Sequence, residues 1–267
     1  MPTFPDHFSQ LAARYAAYRP HYPAALVALL ADRASAHEAA WDIGCGSGQL
    51  SVALAARFGR VIATDPAQAQ LDHAERDPRV AYRCTPAEAS GLPDASVDLA
   101  VAAQAAHWFD WPRFVPEVGR VVRPGGLIAL VSYRNAELAG DAGDALDGFY
   151  REIEPYWPGG RVHVNNGYRD LTLPWPTVDG TAPPFGGAAG RGQAPTVDGT
   201  APPIEMTTRW TRDELAGYVT TWSATARMVA ARGDAAVEVL RARLAEIWPD
   251  HEAREVRWPL TIKLARR

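Results

Sequence analysis

The sequence predicts an α/β protein built on a doubly wound, mostly parallel sheet with helices on both faces. Three observations carry that prediction. Trp41-Asp42-Ile43-Gly44-Cys45-Gly46-Ser47-Gly48-Gln49-Leu50 reads as a short apolar strand ending in an acid, a turn with three alternating glycines, and the start of a helix. Arg60-Val61-Ile62-Ala63-Thr64-Asp65 reads as a second strand ending in an acid, reached through an interposed helix from Leu50 to Phe58. From Ala40 to Tyr133 short apolar strands go on alternating with helical segments, which is the pattern of a parallel sheet.

Ahead of the glycine turn, Phe8 to Arg19 and Tyr22 to Arg33 have helical apolar spacing and are separated by the Arg19-Pro20 break. They form a helical arm over residues 1–37, before a core spanning 38–134. Leu138 to Tyr156 predicts an amphipathic helix with Leu138, Leu146, Phe149 and Ile153 on its apolar face. It opens an insertion over 135–203. Beyond that helix the periodicity dissolves, and Pro174 to Pro203 is too rich in proline and glycine to sustain an element interior. Pro176 to Pro184 recurs as Pro195 to Pro203, a local duplication within a loop.

From 204 to 267 the chain completes the sheet and a helical cap. Ile204 to Trp210 is strand-like, and Thr211 with Glu214 three residues later fits a capping box. Ala235 to Ile247 predicts a further helix, and Glu255 to Leu264 alternates like an antiparallel strand at the sheet edge.

Composition narrows the function classes. The 267 residues carry 47% hydrophobic side chains, ample for a packed core, and a formal net charge of -4, which gives no basic face for nucleic acid. No apolar run reaches the length of a membrane span, and the N-terminus lacks the layout of a signal peptide. Cys45 and Cys84 make no disulfide framework and read as reduced thiols of a cytoplasmic protein. The seven histidines are scattered, so no metal is expected.

The turn itself points to a nucleoside ligand, because glycine lacks a Cβ and lets backbone approach closely. The dinucleotide fingerprint G-x-G-x-x-G requires a third glycine where this chain has Gln49, or Ser51 if the count starts at Gly46. Asp42, just before the first glycine, would repel a pyrophosphate but accept a bond from a cationic amino group. The spacing therefore favours a cofactor with an amino-acid head, with Asp65 placed to take its ribose hydroxyls. An NAD-dependent oxidoreductase and a non-catalytic cofactor-binding protein are the alternatives.

These residues resemble the class I S-adenosylmethionine-dependent methyltransferases, with a methyltransferase type 11 domain. The likeness takes in Asp42 to Gly48, Asp65, the Pro86-Ala87-Glu88 loop, Ser96 to Val101 as fourth strand, and Arg123-Pro124-Gly125-Gly126-Leu127 before the fifth. Tyr15 to Pro23, Gln104 to Phe109 and Thr221 to Ala224 look like the small-molecule branch that includes trans-aconitate methyltransferases. The resemblance implies a Rossmann-like seven-stranded sheet and S-adenosylmethionine as methyl donor, leaving as S-adenosylhomocysteine. It implies cofactor contacts from Asp42, Gly44, Cys45, Gly46, Gly48, Asp65, Ala87, Glu88 and Gln104. Arg19 offers a guanidinium fork for the cofactor's carboxylate or an acidic substrate. The acceptor is expected to be a small molecule, a carboxylic acid converted to its methyl ester being one class. Tyr18, Tyr22, Trp108, Trp222 and Arg227 are the expected acceptor contacts, and His107 the candidate catalytic residue. Neither a nucleic-acid nor a membrane partner is expected.

Overall fold

The computed structural model describes residues 20–178 and 204–267. The expected helix from Phe8 to Arg19 and most of the duplicated segment lie outside the described residues. The chain divides into two compact units, neither continuous in sequence. One takes His21–Arg134, the described part of Val162–Glu205, and Pro259–Arg267; the other takes Asn135–Arg161 and Met206–Trp258.

The first unit holds α1 (Ala24–Arg33), β1 (Ala39–Ile43), α2 (Gln49–Ala55), β2 (Arg60–Asp65), α3 (Gln68–Asp72), β3 (Val80–Cys84), β4 (Val97–Ala103), α4 (Trp111–Val121) and β5 (Val122–Tyr133). The β1–β2, β2–β3, β1–β4 and β4–β5 pairs are all parallel. β1 is buried throughout and β4 through all but its last residue, as expected of parallel strands with both faces covered. With β6 (Glu205–Trp210) and β7 (Arg254–Arg266) the sheet has seven strands in the order β3-β2-β1-β4-β5-β7-β6.

β7 runs antiparallel to β5, as expected, but it is not the edge. It lies between β5 and β6, and β6 takes the edge. The alternation that suggested an edge holds only in its first residues: from Trp258 to Thr261 and on through Ile262 consecutive side chains are buried, so both faces are covered. Nor does order end at Tyr156. A short helix, α6 (Arg161–Asn165), follows α5 (Gly140–Ile153), and the start of the Pro/Gly-rich stretch is tied to β7. Arg266 N–H donates to Pro176 O, Val178 N–H donates to Leu264 O, and Thr177 bridges Ala265.

At the amino ends of the central strands Asp98 acts as a staple. Its Oδ2 accepts the Glu38 and Ala39 N–H groups at 2.8 and 3.0 Å, and its Oδ1 accepts from Arg123 at 2.6 Å. Arg123 reaches on to Glu38 at 2.8 Å. Two motif residues thus fasten β1, β4 and β5 to one another.

The second unit is mainly helical, with α5, α7 (Arg212–Val219), α8 (Ser223–Arg232) and α9 (Ala235–Ile247). The capping box at Thr211 and Glu214 forms as the sequence predicts. Its core is aromatic: Tyr150 stacks on Trp222 with centroids 4.6 Å apart, Tyr218 meets Trp222 edge-on, and Trp258 Nε1 donates to Tyr218 Oη at 3.0 Å.

Deleting Thr177 to Pro195 joins Pro176 to Thr196-Val197 and so restores the Pro-Thr-Val that pairs with β7. We expect the deletion to shift the melting temperature by no more than about 4 °C, the effect of roughly 1 kcal/mol. Loss of a cooperative transition in calorimetry would show that the remaining copy cannot replace the first.

Candidate active site

The strand order reverses between β1 and β4, since β2 follows on one side of β1 and β5 on the other side of β4. Ligands of open α/β sheets bind at the carboxyl ends of such a pair. The glycine turn leaves β1 there, and Gln104 with the one-turn helix Ala106–Trp108 leaves β4 beside it.

The three glycines answer to different constraints, although all have positive φ. A Cβ on Gly44 would lie 2.5 Å from the Ala105 Cβ, so the two loops touch at the switch point. One on Gly48 would collide with the Tyr82 hydroxyl. Gly46 is open by comparison: among the described residues its Cβ would meet only Gln70 Oε1 within 4 Å, at 3.9 Å.

Asp65 ties this turn to the next. Its Oδ2 accepts the Gly46 N–H at 2.9 Å and its Oδ1 the Ala67 N–H at 2.8 Å. Burial raises the Asp65 pKa, and these two bonds hold it back. Asp42 is fully buried, with Ser51 Oγ donating to it at 2.6 Å. Burial pushes its pKa up to about 7, partly offset by the Ser51 bond and reinforced by Asp65. Burial, with Asp42 and Asp65 adding to it, raises the Cys45 thiol well above its ordinary range, which leaves it a poor nucleophile.

Two buried polar atoms beside the turn, Ser47 Oγ and Gln70 Oε1, have no partner among the described residues. Buried oxygens normally find one. The open face of Gly46 and these two atoms fit a polar ligand seated on the turn.

The remaining expected residues fall in three groups. Ala87 is buried, and Glu88 Oε1 accepts the Asp110 N–H at 2.7 Å, which joins the two loops. Gln104, at φ 54°, clamps Tyr133 with its amide: Nε2 donates to the Tyr133 carbonyl and Oε1 accepts its N–H, both at 3.0 Å. His107 Nδ1 lies 2.9 Å from Tyr168 Oη, and its ring packs on half-buried Trp108. Tyr22 is half-buried in the first unit. Trp222 and Arg227 belong to the helical unit, where Trp222 is a core residue of the aromatic stack. Tyr18 and Arg19 lie outside the described residues. Among the described residues no group of three or more His, Cys, Asp or Glu could hold a metal ion, and no helix is long and apolar enough to cross a membrane.

Sequence reasoning missed Ser47, Ser51, Gln70 and Tyr168. Ser51 had a signal, since it falls on the first turn of the helix that leaves the glycines. The surroundings of the other three are set by tertiary contacts alone.

Residues 41–130 match the family model described as a methyltransferase domain. A solved structure from Anaeromyxobacter dehalogenans, assigned as a type II methyltransferase, is 39% identical with a TM-score of 0.79, covering 93% of this chain and 98% of that one. A Dictyostelium discoideum protein assigned as a methyltransferase is 36% identical over 173 residues, 63% of this chain and 66% of its own. A Saccharomyces cerevisiae protein assigned as S-adenosylmethionine-dependent is 30% identical over 149 residues, 52% of this chain and 51% of its own. This chain thus spans less than two thirds of either curated relative. The chain belongs to the class I S-adenosylmethionine-dependent methyltransferases.

The Asp42 carboxyl yields a stability prediction. Its folded pKa lies above its ordinary value of 3.8, so its contribution is fully present below about pH 4 and is lost as the pH rises through about 7. In protein free of cofactor, Asp42→Asn should raise the melting temperature at pH 8, by on the order of a few kcal/mol of stability, and much less at pH 5. Equal shifts at the two pH values in scanning calorimetry would place the Asp42 pKa near its ordinary range.

Proposed function

We propose that the protein transfers the methyl group of S-adenosylmethionine to a small molecule, and that the acceptor is a carboxylate. The observation that carries the first part is the turn at the β1–β4 switch point, where, among the described residues, Gly46 is open and Ser47 Oγ and Gln70 Oε1 have no partner. The likeness of the flanking segments to trans-aconitate methyltransferases and the absence of an NAD-type third glycine support the same reading. Two free thiols fit a cytoplasmic setting.

The bound cofactor supplies a sulfonium methyl with a neutral thioether as leaving group. The residues are left with alignment, and near-attack geometry can contribute about 7 to 11 kcal/mol. In this reading the backbone of Gly44, Cys45, Gly46 and Gly48 seats the cofactor. Asp65 takes the ribose with the lone pairs its two N–H donors leave free. Asp42, next to a cationic amino group, returns to its charged form. Ala87 and Glu88 flank the adenine, and Gln104 borders the methionine portion. Tyr22 and Trp108 are the acceptor contacts offered by the first unit in this reading; Tyr18, Trp222 and Arg227 as further acceptor contacts, and Arg19 with a guanidinium suited to a carboxylate, rest on the sequence resemblance. A carboxylate is ionised at neutral pH, so the chemistry needs no base.

Asp65 does two jobs in this account, which changes what its removal tests. Asp65→Ala strips two N–H partners from the turn as well as a ribose acceptor, so stability and cofactor affinity should fall together, each by about 1.5 to 3 kcal/mol. Gly46→Ala separates the two: with no collision, it carries only the roughly 1 to 2 kcal/mol of a left-handed alanine but blocks the open face. Calorimetric titration of folded Gly46→Ala should show at least tenfold weaker S-adenosylmethionine binding, and wild-type affinity would move the cofactor off the turn. Wild-type protein that bound NAD and not S-adenosylmethionine would overturn the donor.

The acceptor is tested by release of homocysteine from the turned-over cofactor, across small acids, amines and phenols. We expect turnover with carboxylates and its loss in their amides. Turnover confined to amines or phenols would refute the carboxylate reading.

A further inference from the structure

We propose that Tyr168 is a positioning residue for His107, its hydroxyl donating to Nδ1 and holding the imidazole as the tautomer protonated on Nε2. A ring so held is a hydrogen-bond donor, not a general base. That consequence rests on the methyl-transfer reading above, and it matches an acceptor that arrives already ionised.

Tyr168 is almost wholly buried, and it stands in the left-handed region at φ 59°. The cap of α6 explains only part of this. Gly167 N–H donates to Val164 O and Tyr168 N–H to His163 O at 2.7 Å, the two bonds that close a helix through a left-handed glycine. Gly167 satisfies that requirement at φ 67°. A second left-handed residue, bulky and aromatic, is an outlier whose cost must be offset by its surroundings.

Part of those surroundings is a half-buried cation. Lys263 on β7 points its ammonium at this segment and donates to Leu171 O at 2.7 Å and Tyr168 O at 3.3 Å. Burial lowers the Lys263 pKa, with Asp170 opposing. An ammonium placed there, spent on two carbonyls, fixes the backbone of Tyr168 from below. The side chain then reaches His107 at 2.9 Å, with the two rings tilted at 6.2 Å between centroids. Trp108 covers another side of the imidazole at 4.9 Å.

The direction of the Tyr168–His107 bond follows from chemistry. A phenol O–H is a strong donor and its oxygen a weak acceptor, whereas an unprotonated imidazole nitrogen is a strong acceptor. The favoured pairing is therefore O–H to Nδ1, and the ring proton resides on Nε2.

Two-bond proton–nitrogen spectra of the ¹⁵N-labelled full-length protein test this, with His107→Asn assigning the signal among the seven histidines. The expected wild-type spectrum has Nδ1 bare and Nε2 protonated at neutral pH. Tyr168→Phe keeps the ring, should populate both tautomers, and should raise the His107 pKa by about half a unit to one unit, since a bond to the neutral form has been removed. An Nδ1-protonated wild type overturns the proposal without any variant. So does a folded Tyr168→Phe with unchanged tautomer and pKa. Lys263→Met should shift the tautomer in the same direction without touching His107. Calorimetry with S-adenosylmethionine on the same samples keeps the two readings apart: no binding by wild type refutes the methyl donor and leaves the tautomer result standing.

Discussion

One carboxylate holds the candidate site together. Asp65 ends β2, yet its two oxygens reach the glycine turn after β1 and the first residues leading into α3. A turn of three left-handed glycines has little stiffness of its own, because glycine has the most backbone freedom to lose. Its shape is imposed from outside, by Asp65 at Gly46 and by the Thr64 carbonyl, which accepts from Gly44 and Cys45 at 2.7 and 3.0 Å. Without those anchors the open face of Gly46 would have no fixed position. The neighbouring acid is treated differently: Asp65 has two backbone donors, and Asp42 has one hydroxyl and deeper burial. Like acids in unlike surroundings separate in pKa: one holds backbone, and in the proposed reading the other would regain its charge beside a cationic group.

The turn was legible in the sequence because its grammar is short-range. Alternating glycines between an apolar strand and a helix need no tertiary information, and neither do the acids that close β1 and β2. What the sequence could not disclose is why each glycine is there, since Tyr82 arrives on β3 and Ala105 on the loop after β4. The same limit hid the make-up of the two units. Asn135–Arg161 and Met206–Trp258 are joined by aromatic stacking between residues far apart in the chain, and a linear reading could only cut them in sequence order. At β7 the error had a local cause: real alternation in the first residues was extended over a stretch where both faces are buried. Tyr168 was invisible for another reason. The glycine before it already accounts for the turn, and nothing in the sequence marks the next residue as left-handed too.

In the proposed reading the turn seats the methyl donor, and it says little about the acceptor, because sites are grafted on folds of this kind and vary independently of them. The proposed acceptor side rests on residues outside the glycine turn. His107 and Trp108 sit where β4 ends, and Tyr168 approaches from the segment after α6. If His107 carries its proton on Nε2, the site supplies a donor and an aromatic wall. That is enough for a reaction whose barrier is mostly alignment, and too little for one that must first remove a proton from an amine or phenol.

The two ends of the central strands are built on opposite principles. At the amino end Asp98, Arg123 and Glu38 form a network in which each charge meets an opposite charge or a backbone donor. At the carboxyl end lie an acid whose pKa burial has pushed up to about 7, two polar atoms with no partner among the described residues, and Gln104 and Tyr168, two of the three non-glycine residues with positive φ among those residues. Local rules that agree with the fold make for stability, and their violations gather where something other than stability was selected. Asp42, Ser47 and Gln70 would be satisfied by a cationic and hydrogen-bonding ligand, whereas Gln104 and Tyr168 are already satisfied by protein, through Tyr133 and through Lys263 with His107. In the proposed reading the unsatisfied groups beside the turn are those a cofactor would satisfy, and the strained but satisfied ones belong to the frame against which an acceptor would be aligned.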